Sequence, residues 1–112
     1  MSYQVKELVL PDGASPYAEW FETLDPIAAA KVSVAAARME QGNLSNVEWF
    51  RGIGEYKIDW GPGYRIYFAK DGLKIIVLLG GGSKKRQQKD IDRALALWDD
   101  YKRRKALAKK EA

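Results

Sequence analysis

The hydrophobic period changes partway along this chain, and that change limits the fold more than any other feature. Up to about residue 42 the apolar residues recur every three or four positions, whereas from residue 47 they alternate. After Gly80-Gly81-Gly82 the helical period returns. Helices grouped to one side of a run of strands, instead of interleaved with them, belong to an α+β architecture with a mainly antiparallel sheet. At 112 residues, one domain with a modest core is the limit, so residues 1–112 are expected to fold as a single unit.

Residues 3–10 are rich in strand formers and stop at Pro11-Asp12-Gly13, a turn signal. Ser15-Pro16 and Asp25-Pro26 each read as an N-cap followed by proline at the first helical position. Tyr17, Trp20, Phe21 and Leu24 give the first helix an apolar face; Ala28, Val32, Ala35 and Met39 give one to the second, which Gly42 ends. The short link between them predicts a helical hairpin. Residues 47–51, 56–60, 64–69 and 73–79 read as four strands, with Asp71-Gly72 as a two-residue hairpin turn. The last strand is apolar on both faces, which predicts a central place with something packed on each side. A final helix is expected from about 85 to 108, burying Ile91, Ala94, Leu95 and Trp98.

The second and third of these strands sort their side chains by face. With Gly61-Pro62-Gly63 as a three-residue loop, Trp60 faces Tyr64, Ile58 faces Ile66 and Tyr56 faces Phe68, a set that goes to the core. The other face then carries Lys57, Asp59, Arg65 and Tyr67 as one exposed patch, with Asp59 across from Arg65 and Lys57 across from Tyr67. A slip of one residue would bury charge, so the faces are fixed more firmly than the turn. On these residues alone, Arg65 and Asp59 read equally well as a cross-strand ion pair.

Composition narrows the chemistry. The chain has no His and no Cys, which removes thiol nucleophiles, Ser-His-Asp triads and the usual zinc ligands. Lys, Arg, Tyr, carboxylates, hydroxyls and backbone amides remain. Residues 1–61 carry five basic and nine acidic side chains, a net −4; residues 62–112 carry fourteen and six, a net +8. A chain so polarised along its length is expected to present one basic surface, suited to a polyanion. The start shows no export signal and the longest apolar run is Ile75-Ile76-Val77-Leu78-Leu79, so a cytoplasmic address is expected. Gly80-Gly81-Gly82-Ser83-Lys84 is not a Walker loop, since Ser83 stands where Gly is required.

The run Glu55-Tyr56-Lys57-Ile58-Asp59-Trp60-Gly61-Pro62-Gly63-Tyr64-Arg65-Ile66-Tyr67-Phe68 resembles the signature of the RelE/ParE toxin superfamily. More narrowly it is similar to the HigB-like and phage Gp49-like branch, the addiction module killer proteins. Leu78-Leu79-Gly80-Gly81-Gly82-Ser83-Lys84, ahead of a helix containing Gln87-Gln88-Lys89-Asp90-Ile91, fits that branch, as does Met39-Glu40-Gln41-Gly42-Asn43. The resemblance implies a RelE-like fold and the toxin of a type II toxin–antitoxin pair, an mRNA endoribonuclease acting at the ribosome without metal or other cofactor. Its implied partners are mRNA, the ribosome and a cognate antitoxin, a helix-turn-helix DNA-binding protein.

By position, the resemblance assigns catalysis to Arg65 and Lys57 with Lys84 and Lys85. Arg65 would stabilise the charged transition state, and Lys57 or Lys85 would supply acid or base chemistry. Tyr67, Arg86 and Asp59 would contact RNA. In the last helix, Lys102, Arg103 and Arg104 read as phosphate contacts or as a solvated helix end. The sequence departs from the branch's pattern at Ser83, Asp59 and Ile91. Two other readings stay open: a non-catalytic ParE-like toxin that binds DNA gyrase, and a phage-derived nucleic-acid-binding module.

Overall fold

A computed structural model describes residues 2–111. β1 (Gln4–Glu7) is followed by α1 (Pro16–Glu22) and α2 (Pro26–Glu40), then β2 (Val47–Phe50), β3 (Ile53–Lys57), β4 (Arg65–Asp71) and β5 (Ile75–Gly82). A 3-10 turn at Lys84–Arg86 leads into α3 (Gln87–Glu111). Among the described residues the strands form one five-stranded sheet in the order β1-β5-β4-β3-β2. It is mixed: β1 runs parallel to β5 and the other neighbours are antiparallel. The architecture is α+β.

Both early helices begin where their caps predict. The Ser15 hydroxyl accepts from the Ala18 amide at 3.1 Å and the Asp25 carboxylate from the Ala28 amide at 2.9 Å, each placed before a proline at the first turn. A cap of this kind stabilises its helix by about 1 kcal/mol. The two helices share one face of the sheet, where Tyr17, Val32, Ala35 and Met39 pack on Tyr56, Ile66, Phe68, Ile76 and Leu78. α3 covers the other face, with Ala94 and Trp98 against Ile53, Tyr67, Ala69, Val77 and Leu79. β5 therefore contributes to both cores from a position between β1 and β4, as its two-sided apolar pattern predicts.

Several expectations are corrected by turn chemistry. β2 and β3 are joined by the two residues Arg51 and Gly52, both left-handed (φ 53° and 89°), with Phe50 paired to Ile53. This tight turn starts β3 three residues earlier than the alternation suggests and ends it at Lys57. Residues 58–64 then form the connection in place of a three-residue loop. The β3–β4 register moves by two: Lys57 pairs with Arg65 and Glu55 with Tyr67, so Asp59 does not stand opposite Arg65. A shift of two preserves the alternation, so Tyr56, Ile66 and Phe68 still face the core they were assigned to. At the next turn Asp71 pairs with Ile75, which makes Gly72-Leu73-Lys74 a three-residue connection instead of a two-residue one.

The glycine run is strand, not loop. Gly80, Gly81 and Gly82 pair with Tyr67, Ile66 and Arg65, beyond a bulge next to Phe68. The bulge exchanges the faces. A side chain on Gly81 would meet the Trp20 ring of α1, and one on Gly82 would meet the Asp90 carboxylate of α3. β1 pairs only with residues 75–78, and these two side chains lie against the strand end beyond it.

Candidate functional site

Three cations from separate segments line one shallow cleft of about 640 Å³: Lys57 at the end of β3, Arg65 at the start of β4, and Lys84 on the 3-10 turn. Backbone pairing sets this convergence. Lys57 and Arg65 are cross-strand partners, and the Lys84 amide donates to the Pro62 carbonyl at 3.2 Å, tying the turn to the 58–64 connection. Gly63 lies between, with φ 73°; a side chain there would press to 3.3 Å from both Arg65 Nη1 and Lys84 Cβ. Glycine therefore serves both the backbone conformation and the close approach of the cations. Glu48 and Asp59 also line the cleft, and Lys57 Nζ lies 3.1 Å from Glu48 Oε2. On the cleft surface three cations face two carboxylates, while a third carboxylate, the buried Glu55, lies behind Arg65.

Arg65 is the most tightly held of the three. It is only 8% exposed, and its Nη1 donates to the Gly63 carbonyl at 2.7 Å. Its Nε lies 3.5 Å from Oε2 of Glu55, a carboxylate with no exposure to solvent. The same Glu55 oxygen accepts from Gln87 Nε2 at 3.0 Å, which links the first residue of α3 to the ion pair. Nη1 is hydrogen-bonded, Nε is buried beside the carboxylate without a hydrogen bond, and the Arg65 side chain lines the cleft.

A family model search finds no match for the chain. A protein of Haemophilus influenzae described as uncharacterized is 33% identical to it over 99 residues, covering 87% of this chain and 94% of that one. The two chains belong to one family. The likeness runs through both helical and strand regions, so it includes the segments that build the cleft.

The remaining sequence-based candidates of this family member separate in space. Tyr67 is fully buried beneath α3, which corrects its place on an exposed patch. Burial, then the Glu55 and Asp90 carboxylates, hold its phenol well above the ordinary value. Asp59 is exposed on the cleft wall. Lys85 is exposed on the 3-10 turn but is not among the residues lining the cleft. Arg86 lines a different cleft of about 510 Å³, with Trp20, Asp90 and Arg93 over the glycine strand. Burial raises the Asp90 carboxyl above its usual value, against the pull of Arg86 and Arg93.

Lys102, Arg103 and Arg104 are farther away. They lie fifteen to seventeen residues along α3 from Gln87, roughly 24 Å by helical rise. Arg104 binds Asp100 at 2.8 Å, and Lys102 and Arg103 lie within 4 Å of Asp99 and Asp100. Among the described residues no helix is long and apolar enough to cross a membrane. Sequence reasoning missed Glu55 and Gln87. Glu55 shares its strand face with Lys57, but only the observed register, which pairs Lys57 with Arg65, brings it beside the arginine.

Proposed function

We propose that this chain is the toxin of a type II toxin–antitoxin pair and cleaves mRNA at the ribosome by cationic catalysis. The observation that carries this reading is the meeting of Lys57, Arg65 and Lys84 on one cleft. These are three of the four residues to which the tyrosine–arginine hairpin's resemblance assigns catalysis. In the proposed reaction a ribose 2′-hydroxyl attacks the adjacent phosphorus, the 5′-oxygen leaves, and a 2′,3′-cyclic phosphate forms. The developing charge on the phosphoryl oxygens needs fixed donors, which the Arg65 guanidinium and Lys84 would supply. Lys57, the more exposed, would exchange a proton with the 2′-hydroxyl or the leaving oxygen. The partners this reading requires are the ribosome, mRNA and a cognate antitoxin.

The test is purified protein in a cell-free translation extract, with 5′ ends of the message mapped after brief exposure. Translation should fall and new 5′-hydroxyl ends should appear, while Arg65→Lys should cleave far more slowly with the fold intact. Intact message with translation undisturbed would overturn the proposal. Intact message with loss of gyrase supercoiling would replace it with the gyrase-binding reading.

A further inference from the structure

We infer that Glu55 is a positioning residue for Arg65, and that through Gln87 it makes the docking of α3 part of the cleft's geometry. The inference rests on the cleft being the reactive site. Glu55 sits on β3 with no exposure to solvent, between the sheet and the start of α3. Its Oε2 lies 3.5 Å from Arg65 Nε and accepts from Gln87 Nε2 at 3.0 Å, while Oε1 has no partner among the described residues. Arg65 is anchored a second time, through Nη1 to the Gly63 carbonyl at 2.7 Å. The hydrogen bond at Nη1, with the Glu55 carboxylate close to Nε at more than hydrogen-bonding reach, restricts the plane of the guanidinium.

The charge arrangement favours positioning over simple structural pairing. A buried carboxylate with a free oxygen is a poor stabiliser, and an apolar pair of similar volume commonly serves a fold as well or better. Glu55 also partly neutralises Arg65, which by itself would weaken the arginine's pull on a phosphate. An arrangement that sacrifices both stability and charge is understandable if orientation is what it supplies. Fixed donors aimed at a developing charge act without reorganisation, and a misplacement of about 1 Å can cost about 100-fold in rate. Gln87 extends the dependence to α3, because undocking that helix removes the hydrogen-bond donor on Oε2.

The test compares the wild type with Glu55→Gln, which keeps shape and loses charge, and with Gln87→Leu on the half-buried helix start. The first readout is the Arg65 Nε–Hε resonance by NMR. In the wild type it should carry the downfield shift of an N–H close to a carboxylate; in Glu55→Gln it should move upfield and exchange faster. The second is steady-state cleavage of a ribosome-bound message. For Glu55→Gln, kcat should fall by about 100-fold with KM changed less than about threefold, and for Gln87→Leu by about tenfold.

An unmoved resonance in folded Glu55→Gln overturns the inference, as does an unchanged kcat. Should Glu55→Gln fail to fold, Gln87→Leu decides by the same two readouts, because its change reaches Arg65 only through Glu55. If the wild type cuts no message, the ribonuclease reading fails. The resonance would then still establish whether Glu55 holds Arg65.

Discussion

Removing the arginine should cost stability as well as activity, and the size of the loss can be worked out. Arg65→Ala removes the cation beside Glu55, a carboxylate with no exposed surface in the intact protein, and leaves it the Gln87 amide as a hydrogen-bond donor. Breaking one side of a buried pair in this way costs roughly 3–5 kcal/mol. At roughly 4 °C per kcal/mol for a chain of this size, the melting temperature should fall by roughly 15 °C.

Glu55→Leu should cost less, about 1–2 kcal/mol, because Arg65 reaches the cleft and can keep part of its hydration. The double replacement Arg65→Met with Glu55→Leu should recover most of the loss. Urea denaturation of the four proteins at pH 7 measures all of this. An Arg65→Ala deficit below about 1 kcal/mol would overturn the prediction by showing the pair to be effectively solvated. The double variant matters for function too, since it separates inactivity from instability.

Asp71 is held below the usual carboxylate range by its hydrogen bonds to Lys105 and then Tyr101, so it stabilises the fold above the unfolded value near 3.9. The advantage of wild type over Asp71→Asn should therefore hold at pH 7 and disappear as acid titration passes below that range. Asp90 is shifted the other way, so Asp90→Asn should raise the melting temperature at pH 7, with a gain that fades toward pH 4. Gly81→Ala forces a methyl group into the Trp20 ring and should cost about 1–3 kcal/mol, visible in tryptophan fluorescence and thermal melting. Replacing Lys102 and Arg103 with Gln should flatten the salt dependence of RNA binding by nearly one unit for each phosphate they neutralise; an unchanged slope assigns them to the solvated helix surface.

Local chemistry made much of the architecture legible. Ser15-Pro16 and Asp25-Pro26 start helices because the cap and the proline act within one turn. The core-facing set Tyr56, Ile66 and Phe68 tolerates an error of two in register because strand alternation repeats every two residues. The same error hides the site. It gives Arg65 the wrong acidic partner, because nothing in the alternation marks Arg51-Gly52 as a two-residue turn. Tyr67 and Arg65 look like surface, because alternation reports which residues share a face but not what lies on it.

Local runs of residues and composition set the order and type of the elements, the split of charge along the chain, and the absence of thiol and imidazole chemistry. Each depends on neighbours in the chain or on composition. The tertiary structure decided that α3 closes over Glu55, Arg65 and Tyr67 and that Lys84 meets Lys57 across the 58–64 connection. It also decided that the basic end of α3 stands well away from that cleft. These placements depend on how a helix and a sheet distant in the chain dock together. The energy that selects them, burial of Ala94 and Trp98 against the strands, has no counterpart in any local run of residues.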